Sequence, residues 1–590
     1  MTLVFDLESD GLLDKLTKIH CLSIVDLDAE ESKATLYHEP REIEHALQLL
    51  QEAKTIIGHN IICFDIPAIQ KVYPEFKPTG QVRDTLVLSR LIKADLFNDD
   101  FKNQSLPDDF LKRYYGSHSL KAWGMRLSNL KDDYDGGWEN YSDAMGKYCN
   151  QDAQLTADLY KHLSKEDFSE TSIELEHNLA AVCHEVGNNG WTFDLVKAGE
   201  LYGKLSQRRA DLNKELSELF EPWEIHTEFI PKVNNKTLGY VKGEPFTKVK
   251  VVEFNPNSRK HIHYCLVKKY NWKPTQFSPS GDPKLDESTL EKLPYPEAKK
   301  LAESFMIQKR IAMLAEGRSA WLKLCDNDGK LRHTIIPNGC VSGRASHRSP
   351  NLSQVTSARL PYGKECRELF TVPTGWTLLG SDLSGLEVRL LAHFLHHYDN
   401  GEYAKQILEG DIHTYNANAL GIERSQAKTW LYATMYGGGN KIIGEIVGGS
   451  AKDGSRLKKQ YDQNVPAFKR LREEVRRAAK RGYIFGLDRR KLYIRSEHKA
   501  LSQLLQSAGA VLCKQWLYLV YKQIKQQLNN DAYIVGWIHD EIQIACKSEG
   551  VAERVGQISK EMGLLAGNTY NLQIPLESEY SLGSTWHQTH

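Results

Sequence analysis

The chain contains 590 residues with a mass of 67.2 kDa, which is long enough for about four domains of ordinary size. Apolar residues make up 41% and charged residues 26%, so a chain that is disordered by composition is excluded. The 76 lysines and arginines balance 76 acidic residues, which excludes a uniformly basic nucleic-acid coat protein and leaves any polyanion site to local clusters of charge.

The cysteines and the first residues of the chain indicate in which cellular compartment the protein works. The ten cysteines form no C-x-x-C pair, which argues against a zinc module and is typical of free thiols in a reducing cytoplasm. An acid already stands at residue 6, which is not typical of a signal peptide, and no apolar run reaches about 18 residues. We therefore expect a soluble cytoplasmic protein without membrane contact.

The first 165 residues alternate strand-like and helical runs, which predicts an α/β domain with strands at residues 3–7, 19–25 and 55–58. Asp6 and Glu8 are two residues apart in the first strand, so both carboxylates lie on one of its faces. Asp65 follows an apolar run, and Tyr148 precedes Asp152 by one helical turn. Each of these residues taken alone has an ordinary structural explanation.

Four carboxylates in one pocket would repel each other unless cations were present. Two divalent ions would relieve that repulsion, activate water and stabilise a leaving alkoxide, and oxygen ligands favour Mg²⁺ or Mn²⁺. The order Asp6, Glu8, Asp65, Tyr148 and Asp152 resembles the 3′–5′ proofreading exonucleases of the DEDD class, tyrosine subtype. The resemblance implies an RNase H-like domain over residues 1–165, four carboxylate ligands and a tyrosine that orients the attacking water.

The middle of the chain predicts two long amphipathic helices at residues 200–220 and 296–324. Between them, residues 232–273 are rich in lysine and poor in acids. This segment is either a solvated surface loop or a phosphate-tracking surface with Tyr240, Phe246, Tyr264 and Trp272 interleaved. A basic helix predicted at residues 456–481 leaves the same two interpretations open.

Two acidic motifs near the C-terminal end can converge on one pair of metal ions. Residues 376–382 predict a strand that ends in Asp382, and residues 383–387 then turn into a helix that carries Glu387. Residues 533–538 and 542–546 predict two apolar strands joined at His539, Asp540 and Glu541. A carboxylate at the end of one strand and others at a β-turn suit a two-metal site, although Asp540 alone would be an ordinary turn residue.

Between these motifs, Arg424, Lys428, Tyr432 and Tyr436 recur every four residues and form one stripe of a helix. Such a stripe suits neither a core nor a purely solvated face. It is typical of a site that binds a triphosphate at its charged end and stacks aromatic rings on the base or sugar. His413 is a candidate for an additional phosphate contact, although a lone histidine is more often structural.

These motifs resemble those of the family A DNA polymerases, in particular the replicative polymerases of short-tailed phages of the T-seven type. Residues 382–387 look like motif A, 424–437 like motif B and 539–541 like motif C, and the resemblance covers essentially the whole chain. It implies an α/β multidomain protein with a right-hand polymerase domain at residues 166–590. The thumb would span about 200–325, the palm about 326–405 and 496–590, and the fingers about 406–495.

The family resemblance also implies a reaction: template-directed attack of a primer 3′-hydroxyl on the α-phosphate of a dNTP. It implies two Mg²⁺ ions per active site, with Mn²⁺ able to substitute, and primer-template DNA, a phage helicase-primase and a single-stranded DNA-binding protein as partners in a host bacterial cytoplasm. The implied roles are metal binding by Asp382, Asp540 and the Leu383 carbonyl, catalysis by Glu541, nucleotide binding by Arg424, Lys428, His413, Tyr432, Tyr436 and Glu387, and DNA binding by Arg344, Gln506 and His539.

The chain departs from the family pattern in three places. Ser502 stands where asparagine is common, and Arg489 replaces a glycine. Relatives that recruit thioredoxin do so through a long insertion in the thumb. The corresponding segment here, residues 221–252, is much shorter, so we expect that synthesis does not depend on thioredoxin.

Three other functions fit the sequence less well. The proofreading motifs and Glu387 argue against a single-subunit phage RNA polymerase, because an acid beside the sugar disfavours a 2′-hydroxyl. A bacterial repair polymerase would need a separate 5′-nuclease domain, for which the chain has no room. A catalytically dead DNA-binding scaffold would have lost carboxylates, yet all the expected acids are present.

Overall fold

The computed structural model describes residues 1–103, 106–107, 110, 112–129, 133–278 and 280–590. The chain divides into two compact units. The first comprises Met1–Trp191, Arg332–Gln354 and Thr371–His590, and the second comprises Thr192–Leu331 and Val355–Phe370. Within the part of the chain that is described, no helix is both long enough and apolar enough to cross a membrane.

The N-terminal part of the first unit is a five-stranded sheet covered by helices. Its strands are β1 (Thr2–Ser9), β2 (Ile19–Asp26), β3 (Ala34–Tyr37), β4 (Thr55–Gly58) and β5 (Gln81–Asp84). They pair in the order β3-β2-β1-β4-β5, with β1 antiparallel to β2 and parallel to β4. The three strands predicted from the sequence are confirmed as β1, β2 and β4.

The two faces of β1 contact different helices. The helices of this part are α1 (Pro40–Glu52), α2 (Asp65–Val72), α3 (Thr85–Ile92), α4 (Leu96–Lys102), α5 (Leu120–Arg126), α6 (Asp143–Leu163) and α7 (Glu170–Asn189). Phe5 and Leu7 belong to a core shared with α1 and α2, whereas Val4 packs with Ala153 and Ala157 of α6. Because side chains alternate along a strand, Asp6 and Glu8 share the face that contacts α6.

The second unit is largely helical and carries a two-stranded hairpin whose residues are mostly exposed. Its elements begin with β6 (Trp191–Phe193), α8 (Leu195–Leu219), β7 (Trp223–Phe229), β8 (Phe246–Val252), α9 (Arg259–Tyr270), α10 (Glu287–Glu291), α11 (Pro296–Ile311), α12 (Trp321–Leu324) and β9 (Lys330–Leu331). The helix predicted at 200–220 is confirmed as α8. The single helix predicted at 296–324 is wrong, because α11 passes into a π-helical turn at Ala312–Glu316 and the chain then becomes extended at Gly317.

The aromatic residues of the lysine-rich segment pack within the second unit. Trp272 is buried, Tyr264 stacks on Trp223 with ring centroids 4.6 Å apart, and Tyr240 lies edge-on to Phe246 at 4.7 Å. These contacts occupy the rings that base stacking would need. The lysines of the β7–β8 hairpin are exposed, so they can still bind phosphates as the second interpretation of this segment requires.

The remaining elements build a second sheet and a helical region. In chain order they are β10 (Thr334–Ile336), β11 (Ser346–Arg348), α13 (Gly363–Arg367), β12 (Phe370–Thr371), β13 (Thr377–Leu383), α14 (Leu386–Asp399), α15 (Glu402–Leu408), α16 (Ile412–Leu420), α17 (Arg424–Met435), α18 (Asn440–Glu445), α19 (Ala451–Asn464), α20 (Pro466–Ala479), β14 (Tyr483–Phe485), β15 (Lys491–Tyr493), α21 (Ala500–Gln527), β16 (Ala532–Ile538), β17 (Glu541–Cys546), α22 (Glu549–Thr569) and β18 (Ser578–Gly583). Four strands form an antiparallel sheet in the order β16-β17-β13-β18, while β10–β11 and β14–β15 are separate hairpins and β12-β6-β9 is a small third sheet.

The hairpin predicted around residues 539–541 is confirmed as β16–β17. The basic helix predicted at 456–481 is instead two helices, α19 and α20, because Pro466 has no N–H to continue the first and suits the opening position of the second. Buried side chains of α7, α14, α17 and α21 share one core with the four-stranded sheet, so the helices that carry the candidate motifs are packed on the strands that carry the acids.

A buried group of charges links α7, α21 and the β14–β15 hairpin. Glu176 pairs with Lys514 and with Arg490 at 2.8 Å, and Arg490 also pairs with Asp488 at 2.7 Å. Removing one partner of such a buried set leaves an uncompensated charge, so the set constrains how these elements pack. The neighbouring Arg489 has a φ of 66°, a backbone conformation that favours glycine and carries strain of about 1 kcal/mol for other residues.

Candidate active sites

The first candidate site lies where β1 faces α6. Ligand atoms of Asp6, Glu8 and Cys149 all lie within 4.8 Å of one another, and the Cys149 thiol donates a hydrogen bond of 3.4 Å to the Asp6 carbonyl. Asp6 and Glu8 come from β1, and Cys149 comes from the first half of α6. The strand alternation that predicted the Asp6–Glu8 pair therefore directs both carboxylates to the helix that carries Tyr148 and Asp152.

Asp65 joins this group at the first residue of α2. Its carboxylate accepts a hydrogen bond from the backbone N–H of Leu7, which lies between Asp6 and Glu8 on β1. Burial, followed by the charges of the neighbouring Asp84 and Asp152, raises the pKa of Asp65 to about 8. The structure thus brings Asp6, Glu8, Asp65 and Asp152 to one end of β1, as the sequence predicts.

Tyr148 and two residues that sequence reasoning missed complete the surroundings of the first site. Tyr148 precedes Cys149 on α6, and its ring lies 5.7 Å from that of Tyr134. Asp84 caps α3 through the Leu86 N–H at 2.9 Å and accepts the Asn60 N–H at 2.9 Å, which holds the segment leading to Asp65. An aspartate directly before an apolar run is a helix-start signal that could have identified Asp84, whereas nothing in the sequence distinguishes Cys149.

The second candidate site lies at the tip of the β16–β17 hairpin. Strands β13 and β17 pair with Asp382 opposite Glu541, and the Leu383 N–H donates a 3.2 Å hydrogen bond to the Asp540 carbonyl. His539 has a φ of 60°, as the first central residue of a two-residue primed turn requires. Strand register and turn geometry together place Asp540 beside the end of β13.

The carboxylates of the second site influence each other's ionisation. Burial raises the pKa of Asp382, and the charges of Asp540, Glu579 and Glu541 raise it further. Burial also raises the pKa of Asp540, with Glu387 as the next cause. A cation between Asp382 and Asp540 would relieve this repulsion.

Glu541 is oriented differently from the other two acids. Its buried carboxylate accepts hydrogen bonds from Trp586 Nε1 at 2.7 Å, from His590 Nδ1 at 2.5 Å and from Gln543 Nε2. These contacts hold the start of β17 against the residues that follow β18. Glu541 thus lies in position to fix the hairpin that presents Asp540.

A cavity of about 600 Å³ opens beside Asp540. Six of the predicted residues line it: Arg344, Glu387, Tyr436, Gln506, His539 and Asp540. The Tyr436 hydroxyl donates a 2.9 Å hydrogen bond to Glu387, and Gln506 Nε2 donates one of 3.1 Å to Ser502. Ser502 therefore supports Gln506 within α21 even though it departs from the family pattern.

Helix α17 presents the predicted polar stripe on the side opposite its buried residues. Arg424 and Lys428 are exposed and Tyr432 is half-buried, whereas Trp430 and Leu431 are buried. Arg424 pairs with Asp411, with 2.5 Å between Nε and Oδ2. The His413 ring lies 6.5 Å from that of Tyr432, and burial, followed by the charges of Lys428 and Arg424, lowers the pKa of His413.

Comparison with known proteins identifies the families to which the two parts of the chain are similar. Residues 232–588 match the family described as DNA polymerase family A, and residues 3–164 match the RNase H superfamily. The chain is 36% identical to the DNA-directed DNA polymerase of Enterobacteria phage T3 over the whole of both chains. It is 34% identical to that of Escherichia phage T7 over 99% of both. The chain belongs to DNA polymerase family A.

The polymerase also has the fold of a solved relative. It covers 95% of the POL domain of Pol1 from M. smegmatis, in complex with DNA primer-template and dNTP, with a TM-score of 0.73 at 18% identity. The predicted fold class is confirmed: an RNase H-like domain accompanies a family A polymerase domain. The protein is a phage-type DNA-directed DNA polymerase with an RNase H-like exonuclease domain, and neither an RNA polymerase nor a dead scaffold is supported.

Proposed function

We propose that Asp382 and Asp540 are the metal-binding and catalytic carboxylates of the polymerase reaction. The observation that carries this proposal is the cavity of about 600 Å³ in which Asp540 meets Glu387, Tyr436, Arg344, Gln506 and His539. The cavity combines acids with groups suited to a nucleotide and to a base pair. The Leu383 carbonyl, which follows Asp382, is a further metal ligand in this proposal.

The chemistry of these donors fits divalent cations. Both carboxylates are hard oxygen ligands, and each has a raised pKa that a nearby cation would lower. We propose two Mg²⁺ ions per active site, with Mn²⁺ able to substitute. When bound, such ions neutralise phosphate charge and lower the pKa of an attacking hydroxyl.

The polar face of α17 would hold the triphosphate of the incoming dNTP. Lys428 is exposed, and a neutral His413 can donate one hydrogen bond to a phosphate oxygen. Arg424 would exchange its partner Asp411 for a phosphate, which offers the same bidentate geometry to a guanidinium. These three side chains would stabilise the charge that develops on the leaving pyrophosphate.

The cavity beside Asp540 would test the new base pair and the sugar. Arg344 and Gln506 would read minor-groove acceptors, whose positions are similar in all correct base pairs. Glu387, held by Tyr436, would stand beside the sugar and disfavour a 2′-hydroxyl. His539 would contact the DNA from the hairpin tip. The choice of each nucleotide would be made by its base pairing with the template.

The N-terminal site would remove mispaired 3′ ends. Asp6, Glu8, Asp65 and Asp152 would hold the divalent ions, and Tyr148 would orient the water that attacks the terminal phosphodiester. We assign residues 1–165 to this activity, about 200–325 to the thumb, about 326–405 and 496–590 to the palm, and about 406–495 to the fingers. A phage helicase-primase and a single-stranded DNA-binding protein would be the partners of the whole polymerase in a host bacterial cytoplasm.

Tyr432→Phe should reduce the use of dideoxynucleotides. The Tyr432 hydroxyl would replace the missing 3′-hydroxyl in the site, and one lost polar contact is worth about 1 kcal/mol or more. The ratio of kcat/KM for ddTTP to that for dTTP should therefore fall about fivefold or more. Tyr398→Phe, which removes a hydroxyl bonded to Glu474 on another helix, is the matched control. An unchanged ratio in Tyr432→Phe would refute the assignment.

Processive synthesis should not depend on thioredoxin. Residues 221–252 form little more than the β7–β8 hairpin, which is too small to present a partner surface of about 800 Å² and also reach around DNA. Exposed Lys248 and Lys250 can contact phosphates directly, and such binding weakens steeply with salt. Product length in single-hit extension with a DNA trap should be the same with and without thioredoxin. A several-fold increase with a stable complex in gel filtration would contradict this expectation.

A further inference from the structure

A second cavity in the first unit borders the first candidate site through Asp84, but none of the proposed metal-binding acids of either site lines it. It has a volume of about 300 Å³ and is walled by residues of α3, α7, β10 and the segment that precedes Asp65. Its lining includes two arginines, Arg90 and Arg348, and two histidines, His184 and His333. Val87, Ala180 and Ile335 form part of an apolar wall on the same cavity.

The cavity holds two guanidinium groups and one carboxylate, that of Asp84. Among the described residues, neither Arg90 nor Arg348 has an ion-pair partner. Burial lowers the pKa of Arg90 and the charge of Arg348 lowers it further, while the charge of Asp84 opposes both effects. Asp84 also lines the cavity, but its carboxylate already accepts the N–H groups of Asn60, Ile62 and Leu86. An anion bound by both guanidinium groups would remove their repulsion.

Buried polar atoms in the same cavity also lack partners. His333 is 5% exposed, and within the described ranges neither of its ring nitrogens has a hydrogen-bond partner. Burial, followed by the charge of His347, lowers the pKa of His333 to about 3, so the ring is neutral and offers one donor and one acceptor. Asn338 Nδ2 donates to the Arg90 carbonyl at 3.0 Å, while its buried Oδ1 has no partner in the described part. These atoms offer hydrogen-bonding capacity that water or a polar ligand in the cavity could satisfy.

We propose that this cavity binds a nucleoside monophosphate. The phosphate would lie between Arg90 and Arg348, and the base would lie on the apolar wall with His333 and Asn338 bonding its edge. A volume of about 300 Å³ is at the lower limit of small-molecule pockets and holds about ten water volumes, so it exceeds what a free phosphate needs. The choice of a nucleoside monophosphate rests on the proposed exonuclease, whose hydrolysis releases that product.

Calorimetry on the full-length protein in EDTA tests the proposal without requiring catalysis. The probes are dAMP, inorganic phosphate and a short oligonucleotide without a terminal phosphate. We expect one dAMP per chain, bound more tightly than inorganic phosphate. Arg348→Gln changes an exposed side chain, so it should leave the melting temperature unchanged while it weakens dAMP binding about tenfold or more. His333→Phe should also weaken binding, and it removes two unsatisfied nitrogens from the interior.

Two controls locate the binding. Arg41→Gln removes an exposed arginine of α1, and Lys428→Gln removes a cation of the polymerase site, so neither should change the affinity for dAMP. Unchanged binding in Arg348→Gln, or no binding of dAMP, would overturn the proposal. Equal affinity for inorganic phosphate would indicate a free-anion site, and displacement by the oligonucleotide would indicate a DNA-backbone site. Either result would also overturn the nucleotide assignment, whereas failure of the exonuclease itself would be seen in degradation assays.

Discussion

Asp382→Asn or Asp540→Asn is expected to lower the rate of primer extension by roughly a thousandfold or more while 3′–5′ degradation continues. Each change removes one negative charge at the tip of the β16–β17 hairpin and the end of β13 but keeps the size of the side chain. The remaining carboxylate could not hold the cations that neutralise the triphosphate. Single-turnover incorporation of a labelled dNTP with Mg²⁺ measures the effect, and degradation of a single-stranded 3′ end is measured in parallel.

Glu579→Gln is the matched control for this prediction. Glu579 lies opposite Asp382 on β18 and contributes to its raised pKa, so the control also removes one negative charge from the region. We expect Glu579→Gln to retain most of the extension activity, because Glu579 is not one of the proposed metal ligands or nucleotide contacts. Equal losses in Glu579→Gln and Asp382→Asn would indicate a general effect of charge and would contradict the assignment of specific ligands.

Asp6→Ala combined with Glu8→Ala is expected to abolish 3′–5′ degradation and leave primer extension intact. The pair supplies two of the four carboxylates at the end of β1, and Asp65 accepts the N–H of Leu7, which lies between them. A loss of about a thousandfold is expected, since a single pair of ions would activate the water and stabilise the leaving group. Degradation of a labelled single strand measures this loss.

Asp14→Ala combined with Glu30→Ala removes two exposed acids from the same domain and serves as the control. It should leave both activities unchanged. Loss of both activities from the Asp6 and Glu8 pair, in a protein with an unchanged circular dichroism spectrum, would contradict two independent sites. The same conclusion would follow if Asp382→Asn abolished degradation.

The sequence by itself determined which side chains share a face of one element. Strand periodicity placed Asp6 and Glu8 together, and the apolar runs on either side of His539 and Asp540 predicted the β16–β17 hairpin. Helical periodicity predicted the exposed stripe of α17 from Arg424 onward. These predictions succeeded because strands repeat every two residues and helices every 3.6, so neighbouring positions decide the outcome.

Local periodicity failed where a single residue interrupts an element. The helix predicted at 296–324 changes to a π-helical turn and ends at Gly317, and the helix predicted at 456–481 breaks at Pro466. Amphipathic spacing continues across both positions, so the pattern alone does not reveal either interruption. At Gly317 a Cβ would clash with the Ala312 carbonyl oxygen, and Pro466 has no N–H to continue the helix before it.

Only the tertiary structure decided which faces meet. Asp65 reaches the Asp6–Glu8 segment through the Leu7 N–H, and Arg424 pairs with Asp411. Glu541 bonds Trp586 and His590, which follow the last strand of its sheet. The second cavity likewise depends on Arg90 and Arg348, which lie in distant parts of the chain. Such contacts join residues far apart in sequence, and they form because buried cores bring strands and helices together rather than because of any local pattern.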